Sequence, residues 1–373
     1  MSYLGENIPK LGFGLMRLPM LGDEVDIEQM TKMVDLFLEK GFTYFDTAYG
    51  YIGGKSEAAI KTTLVDRYPR ESYQLVTKLP PWAGAKTAQE ARDMFFTSLE
   101  RTGAGYFDFY LLHNINHERV KLFDEYGLWD FVQEQKAKGL IKHVGFSFHD
   151  KPEFLEYLLT QHPEIEFVQL QINYADWEND FVQSRACYEV ARKYNKPIVI
   201  MEPIKGGSLS AMPDSVSSLF KAADPDASVS SWAIRFAASL DGIITVLSGM
   251  STIEQMEDNV SYMEHFKPLT DEEQEVIKKV QAALDEIPRI PCTSCEYCTK
   301  GCPQEIPIPD IFRAMNNYLI YDNLPGARGN YFFATSGKSK ASACVECGQC
   351  ESVCPQQIKI IEELARCKET LEV

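Results

Sequence analysis

The sequence predicts an α/β chain in two parts, a (β/α)8 TIM barrel followed by a small, mainly helical domain. Two observations carry this. From Leu11 to about His265 short β-rich runs alternate with longer amphipathic ones. Eight such units over about 250 residues match a closed parallel barrel, whereas a doubly wound sheet usually closes with fewer. Beyond that stretch the alternation stops, and a cysteine spacing is written twice. The division is therefore placed at 1–286 and 287–373, with Pro288 to Pro291 as a linker.

In chain order, Tyr3 to Lys10 is too short for a domain and is expected to plug the barrel floor as a hairpin. The eight strands are expected at Gly12 to Met16, Thr43 to Asp46, Tyr73 to Lys78, Phe107 to His113, Lys142 to Ser147, Phe167 to Gln171, Pro197 to Met201 and Gly242 to Ser248. Helical windows between them include Ile27 to Lys40, Thr87 to Arg101, Leu128 to Lys138, Phe181 to Tyr194 and Ser228 to Ser239. Thr270 to Glu286 reads as one further helix.

Composition narrows the function classes. The 373 residues are 45% hydrophobic, ample for one large core and one small one. With 54 acidic residues against 37 basic ones the net charge is −17, which argues against nucleic acid and leaves a solvated acidic face that would steer a basic redox protein. No apolar run follows a basic start in the opening residues, and no stretch resembles a membrane span. A cytoplasmic protein is expected.

Cys292, Cys295, Cys298 and Cys302-Pro303 are followed by Cys344, Cys347, Cys350 and Cys354-Pro355. C-x-x-C-x-x-C-x-x-x-C-P is the spacing of thiolates around [4Fe-4S] clusters, with three close cysteines on one cluster and the fourth on its neighbour. A tetrahedral zinc site would pair two C-x-x-C knuckles and require neither the third cysteine nor the proline. Thiolate-ligated clusters suit a reducing compartment. Cys187 and Cys367 remain and read as small idle thiols. The stretch resembles two-cluster bacterial ferredoxins, and the helical run Pro309 to Ile320 between the copies brings it nearer the α-helical ferredoxins. That resemblance implies that Cys292, Cys295, Cys298 and Cys354 hold one cluster and that Cys344, Cys347, Cys350 and Cys302 hold the other.

Barrel enzymes keep reactive groups where strands end at the C-terminal face. Asp46 closes the second expected strand, with Tyr51 in its loop, Lys78 closes the third and His113 the fourth. Their chemistries fit together. A phenol is too weak an acid near neutral pH, but a nearby ammonium stabilises the phenolate. An aspartate holds that lysine charged, and a neutral imidazole orients a carbonyl oxygen. The set suits reduction of an aldehyde or ketone, with Tyr51 as proton donor, or the reverse oxidation of an alcohol. Singly, Asp46 reads as a helix cap, Lys78 as a loop charge and His113 as a core histidine. Phe45-Asp46-Thr47-Ala48-Tyr49-Gly50-Tyr51, Thr77-Lys78 and Leu111-Leu112-His113 are similar to the motifs of the aldo-keto reductases, whose Asp, Tyr, Lys and His tetrad they match in order and spacing. The offset from Asp46 selects Tyr51 over Tyr49. Trp82 is expected to wall the substrate pocket and Asn114 to face it.

The resemblance implies a nicotinamide dinucleotide, NADP(H) or NAD(H), lying extended across the barrel mouth, and no G-x-G-x-x-G opens a helix here. It assigns the carboxamide contacts to Ser147 and Gln171. The phosphate end falls to Ser248, Gly249, Met250, Ser251 and Asn259, where the eighth strand and the next helix form the usual anion site of barrels. Glu202, Pro203, Ile204, Lys205 and Gly206 add backbone contacts. Three positions depart from the family pattern: Phe148 replaces an asparagine, Met201 a stacking tyrosine, and Gln255 the arginine that grips the 2′-phosphate. NADPH is the family's cofactor. Loss of the arginine's bidentate grip leaves NADH open, with Lys205 as partial compensation. A hydride carries two electrons and a cluster accepts one, a mismatch that a flavin normally mediates. Three readings remain open. One is a self-contained carbonyl reductase, one a ferredoxin-linked oxidoreductase whose clusters exchange electrons with a barrel-bound cofactor, and one a non-catalytic nucleotide-binding redox sensor. The tetrad favours turnover.

Overall fold

The computed structural model describes residues 3–372. They divide into two compact units, one running to Pro203 and resuming at Ser231–Thr270, the other made of Ile204–Ser230 and the chain from Asp271 onward.

The first unit holds a closed barrel of eight parallel strands: β1 Leu11–Gly14, β2 Tyr44–Asp46, β3 Gln74–Leu79, β4 Phe107–Ile115, β5 Ile141–Phe148, β6 Phe167–Gln171, β7 Ile198–Met201 and β8 Ile243–Ser248. Each pairs with its neighbour in sequence, and β1 closes the ring by pairing Gly12 with Tyr44 and Phe13 with Ser248. Every expected strand is present. The strand ends shift by a residue or two from the expectation. The helix expected from Phe181 starts at Ser184, because the Asn179 carboxamide captures the backbone N–H groups of Phe181 and Val182 at 2.9 and 3.0 Å. The helix Ala88–Thr102 starts where the sequence asks, with Thr87 Oγ1 accepting from Glu90 N–H at 3.2 Å while Glu90 Oε2 accepts from Lys86 N–H at 2.7 Å.

The barrel floor is a dry cluster of Tyr44, Val76, Phe109, Leu111, Phe167 and Ile244, against which Leu4 and Ile8 pack. The N-terminal segment therefore plugs the floor, as expected, but as successive tight turns and not as a hairpin. Glu6 N–H reaches the Tyr3 carbonyl at 3.1 Å and Ile8 N–H the Gly5 carbonyl at 3.0 Å. Gly5 has φ of +77° and lies so close to Ile244 that a Cβ would sit 2.6 Å from its Cγ2. A strand could not turn there, and a glycine can.

The second unit is mainly helical, with helices Asp214–Ala223, Asp271–Asp285, Ile308–Tyr321, Leu324–Thr335 and Ile360–Leu371. Its core gathers Ile290, Ile306, Phe312, Met315, Tyr331 and Leu364. Asn316 pins the linker like a strand partner, accepting from Ile290 N–H and donating to its carbonyl, both at 2.8 Å. Ser208 is tied into the same unit, donating to Asn317 Oδ1 at 3.2 Å and accepting from Asn323 Nδ2 at 3.1 Å. No helix among the described residues is long and apolar enough to cross a membrane.

Gly145 faces Phe167 in the β5–β6 register, and a Cβ there would lie 2.6 Å from both the Phe167 ring and its carbonyl oxygen. Backbone on one side and a packed ring on the other leave nothing free to yield. Gly145→Ala should therefore cost about 1–3 kcal/mol, the usual range for overpacking. Thermal unfolding measures it, and an unchanged midpoint would show that β6 shifts without penalty.

Candidate active site and cysteine cavities

Parallel register explains how three residues on three strands meet. Asp46 lies opposite Val76, and Lys78 stands two residues beyond Val76 on the same face; Lys78 lies opposite Leu111, and His113 stands two beyond that. Side chains alternate faces along a strand, so the three occupy one inner face, each a step nearer the mouth. Lys78 Nζ donates to Asp46 Oδ1, to the Thr47 carbonyl at 2.7 Å and to Tyr51 Oη at 3.4 Å. Gln169 Nε2 satisfies the other Asp46 oxygen at 3.1 Å. The Tyr51 ring meets the His113 ring edge-on, with centroids 5.9 Å apart.

Tyr51 arrives on a loop that the sequence had to build against a local preference. Tyr51 N–H donates to the Ala48 carbonyl at 3.1 Å, and Ile52, Gly53 and Gly54 follow with φ of 51°, 63° and 88°. Two glycines take this without cost, but a β-branched isoleucine in the left-handed region costs about 1–2 kcal/mol. Tyr49 is occupied elsewhere. Its ring lies under the Arg101 guanidinium at 4.5 Å, and Arg101 also pairs with buried Glu57 at 3.3 Å.

Burial works against the Lys78 ammonium, yet Asp46 and Tyr51 together outweigh it and hold the amine above its ordinary range. Burial, followed by Lys78, holds the His113 imidazole well below its ordinary range, so it is neutral, and its Nδ1 is buried with no protein partner. The Tyr51 phenol departs from the expectation. Burial pushes it above its usual value, and Lys78 offsets this only in part, with Asp46 opposing it. A dry site penalises the phenolate more than one cation rewards it, so the proton stays on Tyr51 until a reacting oxygen draws it.

The residues expected at the dinucleotide fall into distinct groups. Ser147 is buried at the end of β5 and its Oγ accepts from Asn114 N–H at 2.7 Å; Gln171 ends β6 and donates to Asp176 at 3.2 Å. Ser248, Met250 and Asn259 are buried, with Asn259 donating to Ser248 Oγ at 2.6 Å. Ser251 and Gln255 lie nearer the surface at the helix Ile253–Met263. There the Gln255 amide oxygen accepts from Ser251 N–H at 2.7 Å, so it serves as a cap. Gly249 lies beside the Arg17 side chain. Glu202 opens the loop after β7 in a left-handed conformation and its carbonyl accepts from Asn173 at 3.1 Å, with Pro203 next. Ile204, Lys205 and Gly206 belong to the second unit. Phe148 packs against Phe154 in the core.

Sequence reasoning missed Gln169, though it lies two residues from Gln171 on the same strand, where the period of two would have found it.

The eight cysteines line two cavities in the second unit. One is walled by Cys292, Cys295, Cys298 and Cys354 with Phe312, the other by Cys302, Cys344, Cys347 and Cys350 with Leu364. The fourth cysteine of each copy thus faces the cavity of the other copy. The backbone repeats as well. Ser294 and Glu346, Glu296 and Gly348, and Glu305 and Gln357 occupy equivalent positions of the two copies and all have φ between 51° and 75°. Five of the six are not glycine, and such strain persists where a site is over-determined. Among the described residues no three Cys, His, Asp or Glu side chains converge on a single metal ion. The cavities suit a broader, thiophilic group, which a [4Fe-4S] cluster is.

Residues 10–282 match the model of the aldo/keto reductase family, and residues 291–358 that of a 4Fe-4S dicluster domain. An aldo-keto reductase of Mycolicibacterium smegmatis is 28% identical over 158 residues, covering 42% of this chain and 52% of that protein. Another, from a Mycobacterium species, is 32% identical over 142 residues, covering 38% and 45%. The chain spans about half the length of the curated relatives it matches. Among solved structures, an aldo-keto reductase of Bacillus halodurans in its holo form aligns with a TM-score of 0.61 at 24% identity, over 75% of this chain and 95% of that one. One from Klebsiella pneumoniae in complex with NADPH aligns at 0.57 and 20% identity, over 74% and 91%. At such identity the likeness is one of fold.

Removing Lys78 strands Asp46 as a buried carboxylate without its cation. Lys78→Met should lose about 3–5 kcal/mol of unfolding free energy, and adding Asp46→Leu should recover much of it, because the neutral pair leaves no buried charge. Chemical denaturation of the two variants decides, and equal losses would show that Asp46 needs no ammonium to stay buried.

Proposed function

The chain belongs to the aldo/keto reductase family, and from that premise we propose that its barrel reduces an aldehyde or ketone to the alcohol, reversibly, with Tyr51 as the proton donor. The observation that carries this is the single ammonium of Lys78, shared between Asp46 and Tyr51 below a neutral His113. The donor set at the strand ends fits a nicotinamide dinucleotide, NADP(H) or NAD(H). Ser147 and Gln171 would hold its carboxamide, and the backbone from Gly249 to Ser251 its phosphates, over the buried support of Ser248, Met250 and Asn259. Glu202 and Pro203 would flank it. Gln255 brings no charge to a 2′-phosphate, so the choice between NADPH and NADH is made elsewhere. When bound, the nicotinamide supplies a hydride to the carbonyl carbon.

The chain's own residues supply the rest. His113 donates an N–H to the carbonyl oxygen and orients it beside Tyr51 Oη. As negative charge grows on that oxygen, Tyr51 passes it the phenolic proton. Lys78 stabilises the phenolate left behind, and Asp46, held by Gln169, keeps Lys78 charged and in place. In the alcohol-oxidising direction the same groups run in reverse.

Residues 1–286 form the reductase module in this reading and 287–373 the cluster module. Cys292, Cys295, Cys298 and Cys354 would hold one [4Fe-4S] cluster, and Cys302, Cys344, Cys347 and Cys350 a second. Such clusters pass single electrons when bound. Because the tetrad lies wholly within the first unit, carbonyl reduction is read as self-contained, with the clusters in a structural or redox-sensing role.

Tyr51→Phe removes the proton donor and leaves the nucleotide residues untouched. Carbonyl reduction should fall by at least a hundredfold, the worth of a general acid, while nucleotide affinity measured by fluorescence titration changes little. Undiminished turnover would sink the assignment.

Cys302→Ser should remove about half of roughly eight irons per chain. Its electron paramagnetic resonance spectrum should reproduce that of Cys350→Ser and differ from that of Cys298→Ser, since Cys302 shares a cavity with the former. NAD(P)H-dependent activity should persist, and its loss from a still-folded barrel would favour electron flow through the clusters.

A further inference from the structure

Arg119 is the partly buried arginine that neither the tetrad nor the cofactor groove uses. It sits in the loop after β4, where its N–H is held by the Asn116 carbonyl at 3.2 Å and by Asn116 Oδ1 at 2.9 Å. Its guanidinium lies 4.3 Å from the centre of the Trp82 ring. The Trp82 indole N–H donates to the His113 carbonyl at 2.9 Å, and the two rings lie 5.6 Å apart. An unbroken line of contacts therefore runs from the neutral imidazole, through the indole, to a guanidinium.

Like Arg92, which stacks on Phe131 with its Nε unpartnered, Arg119 lacks an acceptor, but its stacking partner is the ring that contacts His113. Arg70 pairs with Asp108 at 2.6 Å, Arg67 with Asp35 at 2.6 Å and Arg101 with Glu57 at 3.3 Å. Among the described residues the Arg119 side chain makes no hydrogen bond and no ion pair, and it stacks on the face of Trp82. Adjacent Glu118 is exposed, and Asp150 is spent on the N–H groups of His117 and Lys151 at 2.7 and 2.8 Å. Burial already tells against this cation, lowering its pKa. A guanidinium has five N–H donors in a planar fork that matches a carboxylate, and stacking on an indole fixes the plane while leaving the edge to bind.

We propose that the substrate is an aldehyde or ketone that also carries a carboxylate, which Arg119 binds while His113 and Tyr51 hold the carbonyl oxygen. This rests on the carbonyl-reductase reading and adds the substrate class to it. The two contact distances, 5.6 and 4.3 Å, limit the gap between carbonyl and carboxylate to a few carbons.

The test compares 4-oxobutanoate with uncharged pentanal in the native chain, Arg119→Met and Arg119→Lys, and measures succinate binding to each by calorimetry. The native chain should prefer 4-oxobutanoate in kcat/KM. Arg119→Met should lower that preference about tenfold to a hundredfold, mainly through KM, as expected for a charge-assisted contact. Arg119→Lys should recover part, since an ammonium restores charge without the fork. Succinate should bind the native chain and lose affinity in the same order. Equal efficiency on both aldehydes, with succinate binding absent or indifferent to Arg119, overturns the proposal and leaves carbonyl reduction standing. Arg119-dependent succinate binding with neither aldehyde turned over supports the anion site and overturns the reductase reading instead.

Discussion

A lysine with no solvent exposure is the constraint on which the barrel mouth depends. Burying one ammonium costs several kcal/mol unless its donors are met. In this chain they are met by Asp46, by the Thr47 carbonyl and by Tyr51 Oη. Asp46 in turn needs a second donor, which Gln169 provides from across the barrel. Three strands and one loop are therefore committed to a single charge. The loop accepts an isoleucine in a left-handed conformation to keep Tyr51 within reach. The same charge, with burial, keeps His113 neutral.

The barrel was legible because strand and helix periods alternate in a simple way and because each tetrad residue closes a strand. The site was legible in its reacting groups but less so in their support. The period of two puts Gln169 on the same face of β6 as Gln171, but its partner Asp46 is far away in sequence, so its supporting role shows only in the fold. Gln255 was read from its alignment with an arginine, but a capping role is set by the turn at Ser251, which only the fold reveals. The Tyr51 phenol went the other way from expectation because the sequence shows that Lys78 is near and cannot show how dry the site is. The N-terminal plug was placed correctly and shaped wrongly, since the fit of Gly5 against Ile244 depends on a strand more than two hundred residues away.

In the cysteine unit, duplication did what periodicity did in the barrel. Two copies of one spacing, each with left-handed residues at the same three positions, describe two equivalent cradles. The exchange of the fourth cysteine between copies joins them, because Cys302 and Cys354 each face the cavity of the opposite motif. Neither cradle is complete in a half-domain. Binding a cluster at either one would therefore stabilise the contact between both halves, and folding and loading become one equilibrium.

The overall charge of −17 and the chemistry of the mouth pull in opposite directions. An acidic protein repels anions at long range, but that field is screened beyond about 8 Å at physiological salt. Within that distance the local balance decides. Around His113 the charges that act on it most are cationic, Lys78 and Arg119 among them, and both depress its pKa. Asp46 cancels much of Lys78, whereas the Arg119 side chain has no acid among its contacts. Arg119 is thus a local cation beside His113 in an otherwise acidic chain, with Glu118 acting on it through space, and it favours anions small enough to reach it over larger polyanions, which the acidic charge repels.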